Sequence, residues 1–100
     1  MSVVGRFVVP ADHPSLPGHF PGQPIVPGVV LLDHVLDLVV GAGDHATALL
    51  GVRFTAAVRP DETIEVSATQ ATTGGRPGRV GFAATRGGQP VLHGTVEIAA

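Results

Sequence analysis

Residues 18–33 read Gly-His-Phe-Pro-Gly-Gln-Pro-Ile-Val-Pro-Gly-Val-Val-Leu-Leu-Asp. His19 sits among prolines, and Asp33 follows fourteen residues later, one or two turns into a helical pattern. An imidazole, with an ordinary pKa of about 6.5, is well suited to take a weakly acidic proton near neutral pH. A protonated carboxyl can hand its proton to a departing hydroxyl, which then leaves as water. Together they are the base and acid of an elimination in which a proton is lost alpha to a carbonyl and a hydroxyl from the beta carbon. Such a reaction also needs a donor for the carbonyl oxygen as it gains negative charge. Gly28 begins the helical run, where unpaired amides and the helix dipole favour an anion, and it has no side chain to obstruct a carbonyl. Apolar surroundings on the helix would favour the protonated form that Asp33 needs.

The elements that must hold these groups can be read from pattern. Val3–Val9 is rich in β-branched residues and predicts a strand closed by Pro10. Residues 10–27 carry six prolines, which exclude helix and argue against a central strand. This is a long, stiff loop of the kind that more often serves function than connection. Pro27-Gly28 then opens a helix over roughly 28–41, stopped by Gly41-Ala42-Gly43. Asp33, His34, Asp37, Gly41 and Asp44 fall within about 100° of arc on that helix. The remaining circumference is Val, Leu or Ala, so the helix is expected to be buried all round except for one narrow polar stripe. At about 1.5 Å rise per residue, Asp33 lies roughly 7–8 Å along the axis from Gly28.

Strands follow. Leu50–Val58 is one candidate, Arg59-Pro60-Asp61-Glu62 a turn, and Thr63–Thr72 a second strand with Ile64, Val66 and Ala68 on one face. After a loop over residues 73–78, Arg79–Arg86 and Pro90–Ile98 are two more strands around a Gly87-Gly88 hairpin turn. One strand, a long loop, one apolar helix and four antiparallel strands in hairpin linkage imply an α+β fold, with the sheet curled around the helix.

Bulk composition narrows the function. One hundred residues make one domain, 1–100, with a modest core that a second copy would enlarge. Apolar residues are 44% of the chain and charged residues 14%, which suits a folded, oligomeric protein. Four Phe, no Tyr or Trp, no Lys and a net charge of -2 make nucleic acid a poor partner. There is no Cys, and the five His show no metal-ligand spacing, so no metal is expected. No apolar run reaches the ~20 residues a bilayer demands, and no signal peptide is recognisable at the N-terminus, so a soluble cytoplasmic protein is the expectation.

With these residues in view, the chain resembles the hot-dog-fold 3-hydroxyacyl-acyl-carrier-protein dehydratases. The likeness rests on Gly18-His19-Phe20-Pro21, on Pro24-Ile25-Val26-Pro27-Gly28-Val29 and on Leu32-Asp33. It is closest to the short forms, such as the aryl polyene pathway dehydratases, that carry Asp where the housekeeping enzyme carries Glu. Weaker similarity runs through Val52-Arg53-Phe54 and Val58-Arg59-Pro60-Asp61. The resemblance implies a five- to six-stranded antiparallel sheet wrapped around one central helix. It also implies dehydration of 3-hydroxyacyl thioesters to trans-2-enoyl thioesters, in fatty acid, polyketide or aryl polyene-type synthesis. His19 would take the C2 proton, Asp33 would assist loss of the C3 hydroxyl, and the Gly28 amide would bind the thioester oxygen. Phe20, Pro27 and Val29 would flank the substrate.

By the same resemblance no cofactor is needed, the substrate riding on the phosphopantetheine of acyl carrier protein. The site would form between two chains of a homodimer, with a higher oligomer or a heterodimer with a related subunit as variants. Acyl carrier protein is acidic, and Arg53, Arg59, Arg76, Arg79 and Arg86 are candidates for a basic rim that receives it.

Ordinary explanations stand beside these roles. His19 could cap backbone amides, Asp33 could belong to a solvated face, and Gly28 could be only a helix-start glycine. Asp37, one turn beyond Asp33, occupies a position where the housekeeping enzymes usually place Gln, and two carboxylates at that spacing repel when both are ionised. His34 points about 100° from Asp33 and reads as surface or interface. Two other functions fit the same residues: an acyl-thioesterase, with the carboxylate activating water, and a non-catalytic acyl-carrier-binding partner subunit.

Overall fold

Alternation of apolar and polar side chains builds one antiparallel sheet. The computed structural model describes residues 1–12, 25–41, 43–69 and 78–99. Along the chain its elements are β1 (Ser2–Val8), α1 (Gly28–Val39), β2 (His45–Phe54), β3 (Thr63–Ala68), β4 (Gly78–Arg86) and β5 (Gln89–Ala99). In β3 the expected face is the buried one: Ile64, Val66 and Ala68 point inward, with Glu65 and Ser67 on the other side. The same period of two buries Val80, Phe82 and Ala84 of β4. β4 and β5 meet at Gly87-Gly88, both at positive φ (56° and 83°), the geometry a two-residue turn with the right twist requires.

The spatial order is β1-β3-β4-β5-β2, antiparallel throughout. Hairpin linkage all along the four later strands is therefore wrong at one step. β2 pairs with β5 on one edge, while β3 lies between β1 and β4 toward the other. The strand expected over Leu50–Val58 begins earlier, at His45, and ends at Phe54. It ends there because the Thr55 and Ala56 amides both turn to the Val91 carbonyl (2.7 and 3.3 Å), which breaks the ladder. Residues 55–62 then cross the end of the sheet and enter β3 through Pro60-Asp61, where Asp61 has a φ of 68°. The Asp61 amide donates to the Val9 carbonyl at 2.8 Å, tying this turn to the end of β1.

α1 packs its Leu31–Val35–Val39 line into the sheet. It leaves Val29, Asp33 and Asp37 exposed on the opposite side, so in the single chain it is amphipathic rather than buried nearly all round. His34 departs from the expected polar stripe: its ring stacks on Phe7 of β1, centroids 4.8 Å apart. The helix ends before the expected Gly41. Val40 is already extended, and its amide closes the last turn on the Leu36 carbonyl at 2.9 Å.

The core is aliphatic, and no polar or charged residue is buried among the described residues. Phe82 is its largest fully buried side chain. Its ring needs the glycine opposite it: a Cβ on Gly94 would stand 3.0 Å from Phe82 Cζ, 2.9 Å from Val52 Cγ2 and 3.1 Å from the Val52 Cα. The Val52 backbone comes this close because β2 carries a register shift between Leu50 and Arg53, with Gly51 at a φ of 59°. Backbone cannot step aside as a side-chain tip can. Gly94→Ala is therefore expected to destabilise the fold by about 1–3 kcal/mol, seen as a fall of at least ~4 °C in Tm by calorimetry.

Candidate active site

Pro27 and Gly28 define how α1 begins. Pro27 has φ −58° and ψ 142°, extended and ready to lead into a helix, and it supplies no side-chain cap. Its carbonyl accepts the Val30 and Leu31 amides at 3.0 and 3.2 Å. That leaves the amides of Gly28 and Val29 without an acceptor among the described residues. Two unpaired donors at the positive end of a helix dipole are an anion-binding arrangement.

This helix start opens on a cleft of about 510 Å³ whose walls include Val26, Gly28, Leu31, Phe54, Thr55, Ala56, Ala57 and Val58. The lining is mostly apolar and includes no charged side chain among the described residues. Phe54 extends from the inner face at the end of β2, opposite Leu92, and rests on Gly28. A Cβ on Gly28 would lie 3.0 Å from the ring carbons Cε1 and Cζ. Glycine at this position thus serves two ends: it admits the ring and keeps the amide accessible. The opposite wall is held by the Val26 amide, which donates to the Val58 carbonyl at 2.8 Å.

The expected residues divide. Gly28 lines the cleft. Pro27 sets the helix entry and is partly buried. Val29 is 67% exposed and lies outside the cleft wall, on the same exposed line as Asp33 and Asp37. The burial anticipated for Asp33 is thus not provided by the single chain, because α1 turns that side away from the sheet. His19 and Phe20 lie outside the described residues, as do His13 and Arg76. Phe54 and the 55–58 segment were missed as site residues. The signals for them in the sequence are the Val52-Arg53-Phe54 and Val58-Arg59-Pro60-Asp61 likenesses, which touch the stretch at Phe54 and Val58.

The basic residues divide as well. Arg79 pairs with Glu97 at 3.0 Å and Arg86 with Glu62 at 3.1 Å, so both are engaged within the chain. Arg53 and Arg59, which bracket the cleft-lining stretch 54–58, are exposed and form no ion pair among the described residues. No group of three or more His, Cys, Asp or Glu that could hold a metal ion occurs among the described residues. No helix there is long and apolar enough to cross a membrane.

Comparison with known proteins identifies the family and the fold. A profile of the ApeI-like family, described as ApeI dehydratase, matches residues 1–95. The chain is 37% identical over 73 residues to the 3-hydroxyacyl-[acyl-carrier-protein] dehydratase FabZ of Chloroflexus aggregans, covering 63% of this chain and 51% of that one. It is 29% identical over 110 residues to FabZ of Chlamydia caviae, covering 98% of this chain and 71% of the relative. The chain spans little more than half the length of the first curated relatives it matches, 51% and 56%.

Among solved structures, the dehydratase heterocomplex ApeI:P from Xenorhabdus doucetiae superposes with a TM-score of 0.75 at 19% identity, over 95% of this chain and 84% of that one. A mutant of the fluoroacetyl-CoA-specific thioesterase FlK gives 0.71 at 26% identity, over 99% and 87%. The five-stranded antiparallel sheet with a single helix among the described residues is the hot-dog fold. With the profile matching nearly the full sequence, the chain belongs to the ApeI-like dehydratase family.

Proposed function

We propose that this protein dehydrates 3-hydroxyacyl thioesters to trans-2-enoyl thioesters. The observation that carries the reading is the start of α1, whose Gly28 and Val29 amides have no acceptor among the described residues, opening on an apolar cleft in a member of a dehydratase family. The thioester oxygen binds the Gly28 amide, and the acyl group lies along Phe54 and the 55–58 wall. His19 takes the C2 proton. The electrons of the C2–H bond form the C2–C3 double bond, the C3–O bond breaks, and the hydroxyl leaves as water with a proton from Asp33. Nothing is oxidised or reduced, and the elimination calls for no cofactor.

Asp33 faces away from the cleft of its own chain, so a second chain is needed to complete the site. Two features support a dimer. β2 is an edge strand with Leu49 and Phe54 exposed, and Val29 is exposed on the helix that Phe54 touches. The partner is a second copy or a related subunit. We further propose that the thioester arrives on acyl carrier protein, received by Arg53 and Arg59, and that the protein works in the cytoplasm.

The test is to incubate the protein with 3-hydroxyacyl and 2-enoyl thioesters and follow enoyl absorbance and free thiol together. Interconversion without thiol release is expected. Thiol release would instead favour the thioesterase reading, to which the FlK likeness gives some weight. His19→Ala and Asp33→Asn should each slow the reaction by about 10²–10⁴. If both variants retain the wild-type rate, the assignment of base and acid is wrong.

The oxyanion donor can be deleted without disturbing the helix. Proline is favoured at a first helical position, and Pro27 already has the extended conformation a following proline demands. Gly28→Pro replaces the amide hydrogen with a ring carbon, and Gly28→Ala controls for the Cβ added near Phe54. The proline variant should be slower than the alanine variant by about 10²–10³ in kcat. Arg53→Glu and Arg59→Glu should raise KM for the carrier-bound substrate, leave a pantetheine-bound substrate unaffected, and matter less at high salt.

A further inference from the structure

Arg86 ends β4 and read, in the sequence, as one of the basic residues facing a carrier protein. Its side chain is committed elsewhere. Nη1 donates to the Ala57 carbonyl at 2.6 Å and to Glu62 Oε1 at 3.1 Å, and Nη2 donates to Gln89 Oε1 at 3.1 Å. Glu62 Oε1 also accepts the Arg59 amide at 2.6 Å. The Arg86 side chain is 26% exposed, against 62% for Arg6 and 69% for Arg79 in the other ion pairs among the described residues. The less hydrated a charged hydrogen bond, the more it can contribute.

The acceptors come from two parts of the fold. Ala57 and Glu62 belong to the connection that crosses the sheet end, and Gln89 begins β5. A guanidinium can reach acceptors on both sides at once through two nitrogens, whereas an ammonium offers a single nitrogen. Ala57 itself forms part of the cleft wall with Gly28 and Phe54. On either side of it the backbone is tied down, Ala56 to Val91 and Val58 to Val26. The Ala57 carbonyl between those ties is held by Arg86.

We propose that Arg86 is a positioning residue that fixes the 55–58 wall of the cleft against the start of α1, and so sets affinity for the acyl group. The inference rests on the reading of the cleft as an acyl-thioester site. It concerns binding rather than the chemical step, and its test is kept separate from turnover.

The experiment measures, by calorimetry on the intact protein, the Kd of an acyl-pantetheine thioether that cannot react. Wild type is compared with Arg86→Met, Arg86→Lys and, as a control exposed ion pair remote from the cleft, Arg6→Met. Arg86→Met should weaken binding roughly tenfold, the effect of losing a charge-assisted hydrogen bond. Arg86→Lys should fall between Arg86→Met and wild type, and Arg6→Met should stay within about twofold of wild type. In steady state, Arg86→Met should raise KM with kcat little changed. A merely stabilising role would do the opposite, lowering the active fraction in step with Tm and leaving KM and Kd alone.

Should Arg86→Met not fold, Glu62→Gln removes the charge from the same network and should weaken binding about threefold. Wild-type affinity in whichever of these variants folds overturns the proposal, as does failure of the wild type to bind the thioether. If the wild type binds the thioether but turns over no 3-hydroxyacyl thioester, the dehydratase reading falls and the positioning role stands.

Discussion

The connection from β2 to β3 is the constraint on which the rest of the structure depends. The chain leaves one edge of the sheet at Phe54 and must reach a place beside β1, passing β5 and β4 on the way. It does so in eight residues, 55–62, and these are tied to every element they pass. Thr55 and Ala56 bond to β5, Val58 to the residue that leads into α1, Asp61 to the chain just after β1, and Ala57 and Glu62 to the end of β4. A loop this heavily bonded has little freedom of its own. It therefore acts as a wall, and the helix start is docked against it.

From that docking follows what one chain can and cannot do. The sheet draws in Leu31, Val35 and Val39, which places Gly28 on the cleft and turns Asp33 outward by the same rotation. A helix has only one set of faces to distribute. Here the face that anchors it and the face that bears the carboxylate are opposite each other. Two helix-start amides with no acceptor among the described residues and an apolar cleft are thus assembled within the chain, while Asp33 is presented on the exposed side. Asp37 lies on that same exposed line, where a partner would meet both carboxylates together.

The fold was legible in the sequence wherever the information is local. Ile64, Val66 and Ala68 alternate, and that period buries them. Gly87-Gly88 can adopt two successive positive φ values, and the β4–β5 hairpin forms there. Pro27-Gly28 is a favourable helix start, and α1 begins at Gly28. Long-range pairing was not legible. The pattern of β2 suits any antiparallel neighbour, and it took β5 because β5 offered its free edge, not because β3 lay far along the chain. The end of the helix shows the same limit. Gly41 is the expected stop, yet Val40 turns first, its side chain packed against the core.

By itself, then, the sequence determined the element types, the inward face of β3, the place where the helix starts and the residue types that could act on a thioester. It did so because each of these depends on neighbours a few positions away, through backbone preference and side-chain period. Only the tertiary structure decided that Phe54 rests on Gly28, that Arg86 is bound to the cleft wall rather than free to meet a partner, that His34 stacks on Phe7, and that Asp33 faces outward. Those outcomes depend on which strand lies beside which and on how the helix rolls to bury its apolar line. They are set by contacts between residues distant in the chain, and no local spacing encodes them.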